Sequence, residues 1–472
     1  MELARFKVLS DQEIRAIHDA TVDLLADCGV QVLSPRMRTF LRERGLRVDE
    51  QSQTVRFSRT CLEDSLSTIP PQFDVFDRNG ALAFVLGDRQ PKIAAGHNAV
   101  FWVDSETGRT RPSTVADVEL FARICQVLEC IDMIGVPVMP QDVPDPQATL
   151  LYGLRAVIEN STKPIFFSTD NRRANRACIE LLRAAFAGNL ASQVYGISQL
   201  SSTSPLYWEE GVLEALADTV QCGVPVAILP EPIAGFTAPY TLAALLTMNN
   251  AECLSGLAMT QLLRPAARVL YANSWTTFDM RSGVALVGSA ETSVCRIAGA
   301  QLADFYHVPC HTTAPNSDNH DHDEQNAWEK TLSLLCAIGA GNDLIVNCGM
   351  FATGMTFSHE QLLMDEAIAA LARRIAAGLT VNQDTIAADV IRQVGPHGEQ
   401  YLTHEHTLRW LRSGEYVAAR ESVVGPRAWW EAQGAKNTYQ LAQERTRGYR
   451  ALQPNAPPDT IRAKLAEIIA TF

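Results

Sequence analysis

Eight short β-rich runs, each followed by a long helical pattern, constrain this chain more than any other feature. They are IAAGHNAVFWV (93–103), IDMIGVPVM (131–139), KPIFFST (163–169), VYGISQL (194–200), VPVAIL (224–229), ARVLYANS (267–274), HVPCHTT (307–313) and DLIVNCG (343–349), and their starts lie 30 to 43 residues apart. Helical patterns fall between and after them near 115–129, 147–160, 173–188, 208–222, 239–264, 287–305, 324–340 and 359–377. Strands apolar on both faces that alternate with helices form parallel sheets with right-handed crossovers. Eight such units predict a closed (β/α)8 TIM barrel, an α/β fold, over residues 92–380. Ahead of it, residues 1–91 read as a mixed α/β extension. It opens on a helix with a Ser10/Glu13 capping box and has turns at Pro70-Pro71 and Asn79-Gly80. Residues 381–472 carry no strand signal and read as a helical extension that wraps the barrel or mediates contacts in a homo-oligomer.

Composition narrows the function classes. The chain has 472 residues, 47% hydrophobic and 20% charged, enough apolar text for a sizeable core. Forty Lys and Arg against fifty-three Asp and Glu give a net charge of −13. That balance argues against a general nucleic-acid binder or a binder of anionic membranes, both of which need a concentrated basic face. The most apolar region, 242–263, contains Asn249, Asn250 and Glu252 and reads as a buried helix, not a membrane span. The eleven cysteines are spread singly, with no Cys-x-x-Cys. That usage suits reduced thiols, and with no apolar leader core near residue 1 the expected location is cytoplasmic. Neither GxGxxG after a strand, nor GxxxxGK[ST], nor GxSxG is present, so no nucleotide cofactor is expected.

In a barrel of this kind the chemistry sits on the loops after the strands. Those loops are rich in aromatic rings: Tyr207, Trp208, Trp275, Phe278, Phe351 and Phe357. Rings facing one cavity would hold a quaternary ammonium by cation–π attraction, whereas each ring alone could simply cap the core. Glu231 stands between Pro230 and Pro232, and Asp279 and Arg281 flank Met280. A carboxylate would complement a cationic substrate and Arg281 could clamp a carboxylate, or the charges could pair with one another. The run from Asn316 to Asp323 contains His320-x-His322. On an extended segment such a pair faces one side and suits a metal. It follows the seventh strand with no evident partner ligands, so hydrogen bonding or proton handling is the preferred reading and no metal is expected. His404 and His406 lie two apart on a helical pattern, where their rings point away from each other.

Several long stretches jointly carry a resemblance. They are VLSDQEIRAIHDATVDLLADCGVQV, TGRTRPSTVADVELFARICQVL, GVPVMPQDVP, SSTSPLYWEEGVLEAL, VPVAILPEPIAGFTAPYTLAALLTMNNAECLSGL, FDMRSGVALVGSAE, FSHEQLLMDEAI and DVIRQVGPHGEQYLTHEHTLR. The chain resembles the trimethylamine methyltransferase superfamily over nearly its whole length, in the non-pyrrolysine branch that includes glycine betaine methyltransferase. The resemblance implies a barrel enzyme that moves a methyl group from a quaternary amine to the cobalt of a corrinoid (cobalamin) carried by a separate partner protein. Trimethylamine members place pyrrolysine in a loop near Asn316, where this chain has ordinary residues. A quaternary ammonium needs no such activation, because its leaving group is a neutral amine. On this reading the six aromatic rings box the ammonium, Glu231 and Asp279 tune the potential, and Arg281, Asn316, His320 or His322 hold the anionic end. The loop text NSDNHDHDEQ is richer in histidine than the family's usual run, which leaves the exact substrate open. A metal-dependent hydrolase or lyase using His320 and His322, and a binding-only betaine barrel, stay as alternatives.

Overall fold

The computed structural model describes residues 5–396, 400–418 and 420–472. Its centre is a closed barrel of eight parallel strands: β1 (Lys92–Ala95), β2 (Met133–Ile134), β3 (Ile165–Ser168), β4 (Gly196–Leu200), β5 (Val226–Ile228), β6 (Val269–Asn273), β7 (Cys310–Thr313) and β8 (Leu344–Cys348). Each strand pairs with its chain neighbour, and β8 closes on β1 through Leu344↔Lys92 and Ile345↔Ile93. The helices that follow the strands are α1 (Val115–Val127), α2 (Thr149–Asn160), α3 (Arg172–Ala185), α4 (Glu210–Gln221), α5 (Leu242–Leu263), α6 (Ala290–Tyr306), α7 (Glu324–Ala340) and α8 (His359–Ala376). All eight predicted strands are present. The first is shorter than expected: only Lys92–Ala95 enters the barrel, while Phe101–Val103 pairs with Thr110–Arg111 and Thr356–Phe357 in a separate sheet at its rim. Gly96 has φ +79° and its Cα faces the Pro137 backbone so closely that a Cβ would meet it at 2.9 Å, so the chain turns out of the barrel there.

The barrel interior is a separate apolar cluster that includes Ala94, Met133, Phe166, Ile197, Ala227, Leu229, Leu270, Ala272, Leu344 and Val346. Alternate residues along each strand supply it, as the period of two demands. The intervening residues, such as Ile165, Ile228 and Ile345, pack outward against the helices. A hairpin of Phe73–Phe76 and Leu82–Leu86 closes the N-terminal end: Phe73, Val75 and Leu86 join the interior cluster, and the Phe76 amide donates to the Val194 carbonyl at 2.7 Å. Only the opposite end, where the strands finish, is left open for chemistry.

Polar groups inside the wall lock the loops of that end. α5 is buried on nearly all sides, so its sequence is apolar all round. No helix among the described residues is long and apolar enough to cross a membrane. Its Glu252 accepts from the Leu206 amide at 2.7 Å and the Ser204 hydroxyl at 2.7 Å, fixing the loop after β4. Arg296 on α6 is fully buried and donates to the carbonyls of Thr313 (2.7 Å) and Val287 (2.8 Å). Lys330 on α7 and Asp365 on α8 form an ion pair at 2.8 Å, with both side chains 0% exposed. Lys330 also reaches the Pro315 carbonyl at 3.3 Å, and Asp365 accepts from the Gly349 amide at 2.7 Å and Gln361 at 2.9 Å. The pair therefore ties the loop after β7 to the loop after β8.

N-terminal to the barrel, the helix Asp11–Asp27 begins with the expected capping box and buries Ile14, Ile17, Val22 and Leu25. The small sheet beside it joins Val30–Val32, Arg47–Asp49 and Thr54–Arg56 to Tyr207–Trp208 from the loop after β4. C-terminal to the barrel, the helices are Gln383–Ile386, Ala388–Val394, Glu405–Trp410, Arg427–Ala432, Thr438–Tyr449 and Asp459–Ala470.

Candidate functional site

Above the apolar interior, the inward positions at the strand ends turn polar. Gln199 lies next to the end of β4, Ser274 follows β6, Thr313 ends β7, Asn347 lies in β8, and His97 follows β1. Glu231 stands on the loop after β5. Most are linked. The Asn316 amide donates to the Thr313 carbonyl at 3.1 Å, and the Asn347 amide donates to Asn316 Oδ1 at 3.0 Å. His97 Nδ1 lies 3.1 Å from Asn347 Oδ1. The Thr313 carbonyl can only accept, so it sets the direction of the whole chain. His97 therefore carries its proton on Nδ1 and presents Nε2 as a bare acceptor. Ser274 and Thr313 hydroxyls are 3.2 Å apart. One polar arc thus runs from His97 on the β1 side to Ser274 on the β6 side, with Glu231 on the neighbouring loop after β5.

Local backbone geometry aims these groups. β8 carries a bulge: Val346 pairs with Ala94 and Cys348 with Ala95, leaving Asn347 over. Its φ is +120°, a strained value for a residue with a side chain. The bulge points the Asn347 amide into the mouth, and the Asp365–Gly349 hydrogen bond holds the strand end in place. At Glu231 the flanking prolines fix the backbone on both sides.

Burial decides the charges. Glu231 is exposed on the loop after β5. Desolvation pushes its pKa up, and the Ser274 hydroxyl opposes this. His97 is held below the ordinary histidine range by burial, against a smaller pull from Asn347. His311 lies one layer deeper, packed on Phe166 with ring centroids 5.4 Å apart, and neither of its ring nitrogens has a partner. Desolvation, then repulsion from His97, brings it down to about 3. Both imidazoles are neutral at neutral pH.

The aromatic residues singled out from the sequence do not share this mouth. Trp208 is buried outside the barrel wall, where its indole N–H donates to Ser255 on α5 at 3.0 Å. Tyr207 is its neighbour on the N-terminal sheet. Trp275 lies against α6, where the absent side chain of Gly299 makes room for it. Phe357 stacks on Trp102 at 5.5 Å in the outer layer, and Phe278 stacks on Phe236 at 5.6 Å on a hairpin. Phe351 sits in a small cluster with Val103 and Ala352. These rings cap the outer core layers and the rim because burial of large apolar area wins over display to a cavity. The single box anticipated from their positions is not assembled by these six.

The polar candidates divide as well. Asp279 closes its own turn, accepting from the Arg281 amide at 3.0 Å and the Ser282 hydroxyl at 2.7 Å, and Arg281 is exposed. Asp318 straps the loop after β7 to the preceding loop by accepting the Val287 and Gly288 amides, each at 2.9 Å. His322 is stacked between Tyr439 (4.5 Å) and Phe351 (4.7 Å) and touches Ser358 at 3.1 Å. Burial lowers it to about 4. His320 is exposed at the loop tip, so the two rings of His-x-His part. Among the described residues no three His, Cys, Asp or Glu side chains gather as metal ligands. Of the sequence-derived candidates, Asn316 lies in the arc, and Glu231 stands on the loop after β5. His97, Gln199, Ser274, Asn347 and the deeper His311 were missed. Their signal was available: Gln199, His311 and Asn347 are polar residues at inward positions of strands that are otherwise apolar.

A cavity of about 740 Å3 adjoins the arc on the side of β1 to β4, lined among others by Asn98, Ser168, Asn171, Arg173, Gln199 and Ser201. Its size lies within the range of small-molecule sites.

Comparison with known proteins gives a consistent result. The family model described as trimethylamine methyltransferase matches residues 1–471. A trimethylamine methyltransferase of Desulfitobacterium hafniense is 29% identical over 463 residues, covering 98% of this chain and 92% of that protein. A glycine betaine methyltransferase of the same species is 30% identical over 412 residues, covering 86% and 85%. The crystal structure of the Methanosarcina barkeri monomethylamine methyltransferase superposes with a TM-score of 0.52 at 10% identity, over 96% of each chain, a likeness of fold.

Proposed function

Because this chain belongs to the trimethylamine methyltransferase family, we propose that it takes a methyl group from a quaternary amine and delivers it to the Co(I) of a corrinoid carried by a separate protein. The observation that carries the reading is Glu231, an exposed acid on the loop after β5 at the open end of a barrel whose two mouth imidazoles, His97 and His311, are neutral. A carboxylate at the mouth attracts a fixed positive charge. Binding the cation favours the ionised form of Glu231.

The corrinoid supplies the nucleophile when it is bound. The chain's own residues supply the rest. Glu231 and the hydroxyl of Ser274 fix the ammonium end, and the apolar floor of Phe166, Leu229 and Ala272 excludes water from below. The His97–Asn347–Asn316 chain keeps the proton of His97 on Nδ1, so its Nε2 cannot protonate the substrate. That suits a quaternary amine, whose leaving group departs neutral and needs no acid. Positioning and desolvation, not proton transfer, are the protein's contribution. A solvent-reachable Glu231 at the barrel's open end is compatible with approach of a partner protein along the axis, and a homo-oligomer leaves that end free if it forms through the C-terminal helices.

An anaerobic spectral assay tests this. The purified chain is mixed with free Co(I) cobalamin and glycine betaine, proline betaine, carnitine, γ-butyrobetaine, choline or trimethylamine. Loss of the Co(I) band with growth of the methylated form for a quaternary amine is expected. Transfer from trimethylamine alone, or from none, overturns the proposal.

A further inference from the structure

The chain after α8 displays large apolar side chains that a folded monomer would normally hide. The helices Gln383–Ile386, Glu405–Trp410 and Arg427–Ala432 have no buried residue, and Ala388–Val394 buries only Val394. They are four to seven residues long. Helices that short do not persist in water by propensity alone and depend on an apolar face being covered. Yet Leu379, Val381, Leu402, Leu408, Leu411 and Tyr416 are each 61–74% exposed. Hydrogen bonds and charge gather these residues into one area. Arg374, in the last turn of α8, donates to the Gly378 carbonyl at 2.8 Å and the Glu415 carbonyl at 3.1 Å, so Leu379 and Tyr416 follow two points held by one guanidinium. Arg409 lies 3.8 Å from the Asp384 carboxylate and His406 Nε2 lies 3.4 Å from the Asp384 carbonyl, which sets Glu405–Trp410 beside Gln383–Ile386.

Area and position say what covers this patch. Each of the six side chains leaves roughly 100–150 Å2 outside, on the order of 700 Å2 together. That exceeds the largest apolar patch of an ordinary monomer, ~300–600 Å2, and approaches the ~800 Å2 that each partner brings to a stable interface. The patch lies at the closed end of the barrel. α8 runs against the strands, so its last turn stands where they begin, and there Arg373 pairs with Asp132, one residue ahead of β2. Arg420 faces Glu129, just after α1, at 4.0 Å. On the function proposed above, a corrinoid protein works at the open end and leaves this patch bare. An anionic membrane needs a basic face, whereas Asp384, Asp389, Glu405 and Glu415 stand among the arginines here. A second copy of this chain is present whenever these helices fold, and a two-fold axis lays the same patch on itself.

We infer that the described residues of 379–424 form a two-fold interface with a second copy of this chain, with the closed ends of the two barrels turned toward each other and both mouths left free. The interface is permanent, because the short helices have no other cover. It stands apart from the methyl-transfer reading, since exposure, area and the place of the patch in the fold carry it whatever the barrel binds.

Sedimentation velocity and light scattering of the full chain test this from about 0.1 to about 50 μM. The wild type is expected to run as a dimer or an even multiple of one. Leu402→Glu/Leu411→Glu should weaken self-association at least about a hundredfold and run at half the wild-type mass. Met280→Glu changes a residue of similar exposure at the open end and should leave the mass unchanged. Hydrogen exchange adds a readout that needs no variant: in the wild-type assembly the amides of 402–411 should be protected, because the partner covers them. A wild-type monomer at the highest concentration overturns the inference. So does a double variant that keeps the wild-type circular-dichroism spectrum and the wild-type mass, or a Met280→Glu protein that falls to half mass. Free exchange of 402–411 in the wild-type assembly overturns it even if the double variant does not fold. Protection that appears only on adding vesicles of equimolar phosphatidylcholine and phosphatidylserine assigns the patch to a membrane and overturns it as well.

Discussion

Replacing Lys330 by Met should destabilise the protein by about 3 kcal/mol, and more at high pH than at low. Lys330 and Asp365 are both fully buried, and removing one partner of such a pair typically costs ~3–5 kcal/mol. Met fills the stem's volume, so little of the loss is cavity. Asp365 also keeps two donors, the Gly349 amide and Gln361, which places the loss at the lower end. Burial already raises the Asp365 pKa, with Lys330 the main opposing influence. Without Lys330 the folded pKa moves further up. A carboxyl whose folded pKa exceeds its unfolded value destabilises the fold as pH rises through the folded value, so Lys330→Met should unfold more easily at pH 8 than at pH 5.5. Asp365→Asn should cost more, because it leaves an ammonium whose remaining acceptor is the Pro315 carbonyl at 3.3 Å. The double variant Lys330→Met/Asp365→Asn should recover much of either loss. The measurement is the urea midpoint and slope of all four proteins at both pH values, compared as a double-mutant cycle. A loss under about 1 kcal/mol for Lys330→Met, or a double variant as weak as the sum of the singles, would refute the account of this pair.

Four further outcomes are expected. Glu231→Gln should fold normally and weaken binding of a quaternary ammonium about tenfold (~1.4 kcal/mol), read by calorimetry. In the wild type the same affinity should rise with pH as Glu231 ionises, from a midpoint above the ordinary carboxylate range. Glu231→Gln should flatten that profile, and an unchanged slope would show that another group titrates. Asn347→Leu should break the His97–Asn347–Asn316 chain and lower kcat more than it raises KM, with the circular-dichroism spectrum unchanged. Trp208→Phe should cost about 1 kcal/mol of stability through its lost bond to Ser255 and leave ammonium binding intact; a loss of binding would restore a role for Trp208 at the site.

The barrel was legible because its signal is local and repeated. Each strand is a short apolar run and each helix carries its own period, so the rhythm from Lys92 to Ala376 survives irregular loops. The buried character of α5 was legible too, since a helix apolar all round has no face for water. The first strand's early end was not, because what stops it is the close approach of Pro137 to Gly96, two segments far apart in sequence.

The site was legible only in part. Proline on both sides of Glu231 and its place after the fifth strand mark it as a candidate. The rings could not be sorted that way, since Trp208 and Phe357 sit in loop text like any substrate-facing aromatic. Whether such a ring packs outward or lines a cavity depends on partners such as Ser255 and Trp102, brought near by folding. The same holds for charge. Nothing in the text RRANR distinguishes Arg173 from Arg172 and Arg176. Asp218 on the next helix takes two of the three and leaves the other at the cavity. The sequence by itself determined the periodicities, and through them the barrel and the end at which its chemistry lies. The tertiary structure alone decided which polar atoms were left unpaired there, because pairing is a property of distances between distant segments and not of spacing along the chain.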